Sequence, residues 1–76
     1  MSNELFNQSL HLTARLVERG DYDDAALVLR PWLITPLSDA LKSIACINLA
    51  VIADLQGRDD QASAWYDAGI GYDRAE

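Results

Sequence analysis

A turn between two helices is indicated by residues 20–26, which have the sequence Gly-Asp-Tyr-Asp-Asp-Ala-Ala. Gly20 can adopt the left-handed backbone conformation that ends a helix, and Asp21 is a good N-cap for a helix that begins at Tyr22. Two further aspartates follow in the first turn, where the positive end of the helix dipole favours acidic side chains. The segment therefore predicts that one helix ends at Gly20 and that another begins directly after it.

Helical periodicity extends from this turn toward the start of the chain, where apolar residues recur every three or four positions. The members of this face are Leu5, Phe6, Leu10, Leu12, Thr13, Leu16 and Val17. The pattern predicts a first helix over residues 3–19, with Ser2 as its N-cap. The second helix is expected to end or bend near Arg30, because Pro31 lacks the N–H that a helix interior requires.

A third helix is predicted between Pro36 and Gln56. Thr35 is a suitable N-cap and proline is favoured at the first helical position, while Gly57 can end this helix as Gly20 ends the first. Apolar side chains cover nearly the whole circumference of the third helix. A helix with that pattern either lies centrally in the molecule or leaves one face for a partner.

A fourth helix is predicted to follow Asp59, a good N-cap, and to reach about residue 73. Its apolar face contains Ala62, Trp65, Tyr66, Gly69 and Ile70. Gly69 and Gly71 each cost roughly 1 kcal/mol of helix stability relative to alanine. We therefore expect this helix to fray after Ile70.

Composition narrows the classes of function. A chain of 76 residues has room for one domain, and half of its residues are apolar, so a core can form. Twelve acidic residues against six basic ones give a net charge of −6, which disfavours nucleic acid and anionic lipid as partners. The nearly uncharged stretch 43–53 is too short to span a bilayer, which needs ~20 residues. One cysteine, Cys46, cannot form an internal disulfide, and we expect a soluble, cytoplasmic protein.

The two halves of the chain repeat each other at an offset of 37 residues. The equivalent pairs are Leu12 and Leu49, Leu16 and Ala53, Gly20 and Gly57, Ala25 and Ala62, and Leu29 and Tyr66. The segment 20–26, and residues 48–50 followed by Gly57 and residues 62–66, resemble the tetratricopeptide repeat (TPR), a helix–turn–helix unit of about 34 residues. The small residue that the family usually has late in the second helix is present as Gly69 but is replaced by Trp32 in the first half.

The resemblance implies an all-α fold of two TPR-like antiparallel helical hairpins, four helices in all, in a right-handed stack. A single domain over residues 1–76 would contain a first hairpin at 3–34 and a second at 36–75. Two repeats are fewer than the usual three or more, and we expect no polar capping helix after them. An uncovered apolar flank should therefore lead to self-association or to pairing with another chain.

In the TPR family the first helix of each pair lines the inner groove, and alignment transfers these groove positions to this chain. From the first helix they are Asn7, Leu10, His11, Ala14, Val17 and Glu18, and from the third helix they are Ile44, Ile47, Asn48, Val51, Asp54 and Leu55. The set is mainly aliphatic and contains no lysine or arginine, so the carboxylate clamp of some family members is not expected. The resemblance instead implies an apolar helical or extended ligand with a basic flank near Glu18 and Asp54.

Chemistry beyond binding has little support in the sequence. His11 is the only histidine and Cys46 the only cysteine, and they are not closely spaced as metal ligands would be. The aspartates of residues 21–24 begin a helix more simply than a calcium loop, which would need glycine where Ala26 stands. Ser9 and His11 point away from each other on a helix. We therefore expect no catalytic residues, no metal site and no cofactor.

The leading hypothesis is a protein–protein interaction module, possibly a small co-chaperone or adaptor similar in size and charge to the TPR-like chaperones of type III secretion. The alternative is a structural domain that forms homodimers and has no separate client. Trp32 and Trp65 could anchor a partner or could each fill their own hairpin. The aliphatic groove could likewise be a ligand site or a seam between two copies.

Overall fold

The computed structural model describes residues 3–75, which form an all-α fold of two helical hairpins. Its elements are α1 (Asn3–Glu18), α2 (Tyr22–Leu29), a 3₁₀ segment (Arg30–Ile34), α3 (Asp39–Leu55) and α4 (Asp59–Ala75). The predicted all-α class and the two hairpins are confirmed. Ser2, the predicted N-cap of α1, lies outside the described residues. None of the helices in residues 3–75 has both the length and the apolar character needed to cross a membrane.

The two turns have the same backbone geometry, 37 residues apart. Gly20 and Gly57 have φ angles of 80° and 73°. The residue after each glycine donates its N–H back to the helix, from Asp21 to Leu16 O at 2.8 Å and from Arg58 to Ala53 O at 2.9 Å. This is the Schellman arrangement, which pairs carbonyls left open at a helix end. The repeat seen in the sequence is therefore present in the structure of both turns.

Asp21 occupies the N-cap position of α2 as predicted, but its side chain makes no capping hydrogen bond. Its backbone carbonyl accepts from Ala25 N at 3.0 Å, while its carboxylate lies 3.5 Å from Arg19 Nε. The helix ends at Leu29, and the 3₁₀ segment begins at Arg30 and has Pro31 as its second residue. This agrees with the predicted end of α2 near Arg30.

The predicted start of α3 at Pro36, with Thr35 as N-cap, is wrong, because α3 begins at Asp39. Ser38 is the N-cap, and its hydroxyl oxygen accepts from Leu41 N at 3.3 Å. The hydroxyl of Thr35 donates instead to Pro31 O at 2.8 Å. Each hydroxyl thus satisfies a different backbone group, and the residues between them connect the hairpins.

One prediction for the start of α4 is also wrong. Asp59 is the first helical residue and not the N-cap, since the carbonyl of Arg58 accepts from Ala62 N at 2.9 Å. The helix extends to Ala75, slightly beyond the predicted end near residue 73. Gly69 within it is buried, and its carbonyl accepts a hydrogen bond from Ser43 Oγ at 2.7 Å. A tertiary contact thus supports the helix where intrinsic propensity is low.

The core lies where α2 meets α3. Ala25 and Leu29 from α2 form a buried cluster with Leu49 and Ile52 from α3, and partly buried residues of α1, the 3₁₀ segment and α4 pack around it. The shortest dimension of the Cα trace is 15 Å, close to the ~8–10 Å between two packed helix axes plus a Cα radius of ~2.3 Å on each side, so the helices form two layers. No described helix is therefore enclosed on all sides, and α3 keeps a solvent-facing side.

Candidate protein-binding groove

Three aliphatic residues form an exposed stripe along α3. Ile44, Val51 and Leu55 are 42%, 42% and 51% exposed. At 3.6 residues per turn they fall within about 40° of one another around the helix axis. We call these three residues the α3 stripe.

The rest of α3 explains why this stripe is exposed. The buried residues of the helix are Ala45, Cys46, Leu49, Ala50, Ile52 and Ala53. They occupy the opposite side, facing α2 and α4, so rotation of α3 to hide the stripe would expose the core. Of the two arrangements that the sequence left open for this helix, the structure has the one with a free face.

The remaining predicted groove residues of α3 are engaged in different ways. Ile47 is half-buried and points to α4, where its Cδ1 lies 2.9 Å from the position that a Cβ on Gly69 would occupy. Asn48 is half-buried, and its amide Nδ2 donates to Ile44 O at 2.9 Å. Asp54 is exposed and accepts a hydrogen bond from the Tyr66 hydroxyl at 3.1 Å. Ile47 and Asp54 therefore both lie on the side of α3 that faces α4, at the edge of the α3 stripe.

The contact between Asp54 and Tyr66 changes the acidity of the phenol. The hydrogen bond to the carboxylate, with smaller contributions from burial and from the negative charge, raises the pKa of Tyr66 above 10.0. The phenol therefore stays neutral and keeps donating throughout the physiological range. It orients the Asp54 carboxylate at the edge of the stripe.

The six predicted groove residues of α1 divide into two groups. Leu10 and Val17 are half-buried and pack against the core cluster to which α3 contributes Leu49. The other four are exposed, namely Asn7, His11, Ala14 and Glu18. The exposed part of the predicted α1 surface is thus mainly polar, with Glu18 at its C-terminal end.

Other candidate residues have local roles. The Trp32 ring packs edge-on against Phe6 with centroids 5.4 Å apart, and its Nε1 donates to Ser9 Oγ at 3.1 Å. Trp32 therefore fills its own hairpin. His11 is exposed. Cys46 is buried, and burial raises the pKa of its thiol above 9.0. Within residues 3–75, no group of three or more acidic, histidine or cysteine side chains is placed to hold a metal ion.

The structure also has a cleft that the sequence did not indicate. A cleft of about 260 Å³ lies between α2 and α4 over the floor of α3, and Trp65, Arg30 and Arg58 line it. These residues come from separate parts of the chain, so helical periodicity does not group them. One available signal is that each arginine adjoins a helix boundary, at the end of α2 or directly after the turn glycine Gly57.

No protein-family model, curated protein or solved structure matches the chain. The resemblance to the tetratricopeptide repeat accordingly stays a prediction. Its support is internal to the molecule: the 37-residue offset and the shared backbone geometry at Gly20 and Gly57.

Proposed function

We propose that the protein is a protein–protein interaction module whose α3 stripe binds the apolar side of a helical or extended segment of a partner. It would act as a small adaptor or co-chaperone that covers this segment. The observation that supports the proposal is the exposure of Ile44, Val51 and Leu55 on a helix whose opposite side forms the core. Exposed aliphatic side chains that share one helix face are suited to helix-in-groove recognition.

The charges around the stripe support a basic partner. Asp54 is exposed and adjoins Leu55 in α3, and the family alignment assigns the exposed Glu18 of α1 to the same groove. The whole chain has a net charge of −6. Exposed ion pairs contribute little affinity, about 0–1 kcal/mol each, but they accelerate association and orient the ligand. The preferred ligand is therefore an amphipathic segment with apolar residues on one side and lysine or arginine beside them.

The same charges weigh against a homodimer seam. In a two-fold interface the same patch is present on both subunits, so two copies that pair through the α3 stripe would bring both Asp54 carboxylates to one interface. Like charges facing each other across an interface oppose association. A client with opposite charge relieves this repulsion, which is why we prefer it to self-pairing.

We also propose the cytoplasm as the site of action. The lone cysteine supports this location, because a chain with one cysteine gains no internal disulfide from an oxidising compartment.

Titration with a synthetic amphipathic peptide, which has leucines on one helix face and lysines beside them, tests the proposal. We expect Ile44→Ser and Val51→Ser each to weaken binding by roughly tenfold, since burying an aliphatic side chain contributes about 1.5–3 kcal/mol. Leu12→Ser is the matched control, because Leu12 is similarly exposed, at 45%, but lies on α1 and outside the predicted groove positions. Equal affinity for all three variants and the wild type would rule out the α3 stripe as the binding surface.

Sedimentation across a dilution series separates the proposal from the structural alternative. We expect the free protein to be monomeric at micromolar concentration, with no change on Val51→Ser. A dimer that Val51→Ser dissociates, together with no peptide binding, would instead establish the homodimer.

A further inference from the structure

The cleft between the hairpins has an apolar floor and an aromatic wall. Leu49, Ile52 and Ala53 of α3 line its base and are at most 3% exposed. Trp65 of α4 is half-buried on one side, and Leu27 of α2 is 62% exposed on the other. Its volume of about 260 Å³ is just below the ~300–1,000 Å³ of sites for drug-sized ligands. The space suits one bulky side chain.

Two cationic side chains flank this apolar base. Arg30 comes from the α2 side and Arg58 from the α4 side, so that two of the six basic residues of the chain line one cleft. Within residues 3–75, Arg19 forms an ion pair with Asp21, whereas the guanidinium groups of Arg30 and Arg58 have no hydrogen-bond or ion-pair partner in that part of the chain. Both arginines are exposed and can bind a ligand without first breaking an ion pair.

One carboxylate is also present in the lining. Asp23 Oδ1 accepts a hydrogen bond from Gln56 Nε2 at 2.8 Å, which links α2 to α3 at the end of the cleft. With Arg30 and Arg58 opposed by Asp23, the lining residues retain a net positive charge in a chain that is strongly acidic overall. The cleft is therefore complementary to anionic groups, unlike the face of the α3 stripe.

We propose that this cleft binds a partner segment in which a bulky apolar residue is flanked by acidic residues. The apolar side chain rests on Leu49 and Ile52 against Trp65, and a carboxylate on each side pairs with Arg30 or Arg58. Arginine binds carboxylates through paired N–H donors, and tryptophan and arginine are enriched among residues that dominate binding. The site uses no residue of the α3 stripe and is independent of the function proposed above.

The test uses the full chain and a peptide with blocked termini that contains Glu-Leu-Glu, so that side chains supply its only carboxylates. The chain has two tryptophans, whose indole N–H signals in NMR spectra report separately. We expect the Trp65 signal to shift on titration and the Trp32 signal, which belongs to the Ser9 hydrogen bond, to stay in place. A matched Gln-Leu-Gln peptide should bind about tenfold more weakly, and added salt should weaken only the Glu-Leu-Glu peptide.

Variants assign the effect to the cleft. Arg30→Gln combined with Arg58→Gln should lower affinity for the Glu-Leu-Glu peptide about tenfold, whereas Arg74→Gln, at an exposed residue of α4 outside the cleft lining, should leave it unchanged. Thermal unfolding of each variant checks that the fold is retained. A peptide ending in a free leucine carboxylate, without glutamate, should bind no better than Gln-Leu-Gln. The proposal is overturned if Trp65 does not respond, if both blocked peptides bind equally, or if Val51→Ser abolishes the binding.

Discussion

The two hairpins are alike at their turns and differ at their opposite ends. Under the 37-residue offset, Phe6 and Trp32 correspond to Ser43 and Gly69. In the first hairpin this pair is an edge-on contact of two aromatic rings with centroids 5.4 Å apart. In the second it is a hydrogen bond of 2.7 Å from the serine hydroxyl to the glycine carbonyl. At equivalent positions, the helices of the first hairpin thus pack through large aromatic side chains, and those of the second pack through a serine and a glycine.

The difference shows how one turn can serve two modes of helix packing. Large rings keep the far ends of α1 and the 3₁₀ segment apart, and α2 has already ended where Pro31 prevents a regular helix. The second hairpin has Ala68 at the position equivalent to Pro31, so α4 continues to Ala75 and approaches α3 closely at Gly69. The stability of the first hairpin should therefore depend on its large aromatic side chains. The stability of the second should depend on small residues that let α3 and α4 approach closely.

The largest expected effect comes from removing the aromatic contact. Phe6 is fully buried, and Phe6→Ala should cost about 3–5 kcal/mol of unfolding free energy. Ser43→Ala at the equivalent position removes one hydrogen bond and should cost about 1 kcal/mol. Denaturant unfolding measures both, and Phe6→Leu, with a smaller loss, serves if the alanine variant does not fold. Equal losses at residues 6 and 43 would contradict the contrast between the hairpins.

The turns should respond alike. Gly20→Ala and Gly57→Ala both force a Cβ into left-handed backbone with no tertiary neighbour within 4 Å, and each should cost about 1–2 kcal/mol. Thermal or denaturant unfolding of the two variants tests this. A difference of more than about 1 kcal/mol between them would show that the shared turn geometry does not have a shared energetic role.

A smaller effect distinguishes the two glycines of α4. Gly71 has no tertiary atom within 4 Å of an added Cβ, so Gly71→Ala should stabilise the protein by roughly 0.5–1 kcal/mol. At Gly69 the added Cβ would lie 2.9 Å from Ile47 Cδ1 and 3.3 Å from Ser43 O. Gly69→Ala should therefore show little or no gain, and Ile47→Val should recover only part of it, because Cγ1 at 3.2 Å and Ser43 O remain. A full gain from Gly69→Ala alone would mean that the close approach of α3 and α4 is absent.

The smallest effect is a pH dependence confined to the second hairpin. Leu29 is fully buried, whereas its equivalent Tyr66 is partly exposed and donates to Asp54. Because the hydrogen bond raises the pKa of Tyr66 in the folded state, its stabilising effect is complete below 10.0 and is lost as the pH rises through the folded value. Tyr66→Phe should remove this part of the alkaline loss of stability. An unchanged alkaline profile in Tyr66→Phe would exclude the role of the phenol.

Local signals were sufficient to predict the turns and the end of α2. Gly20, Gly57 and Pro31 act through backbone conformation and the missing proline N–H, which depend little on tertiary context. The start of α3 was misplaced, because two hydroxyl residues, Thr35 and Ser38, are both good caps and the difference lies in which backbone group each reaches.

Features that depend on contacts between helices were harder to predict from the sequence. The persistence of α4 beyond Gly69 depends on a bond from another helix, which residue propensities omit. Because apolar residues surround α3 on all sides, the sequence pattern alone does not show which side is exposed. Only the family alignment predicted the residues of the α3 stripe. The cleft joins Arg30 to Arg58 and Trp65, and no local pattern links residues so far apart in the sequence.

Methyl NMR with a soluble paramagnetic relaxation agent tests the central claim most directly, namely that the α3 stripe is free and is covered by a partner. We predict strong broadening of the Ile44 and Val51 methyl signals in the free protein at high dilution, and protection of both when the basic amphipathic peptide is added. Ile52, which is 2% exposed, should be protected throughout, and Leu12, which is 45% exposed, should be broadened throughout. Stripe methyls that are already protected in the free protein, or that stay broadened with saturating peptide, would contradict the account.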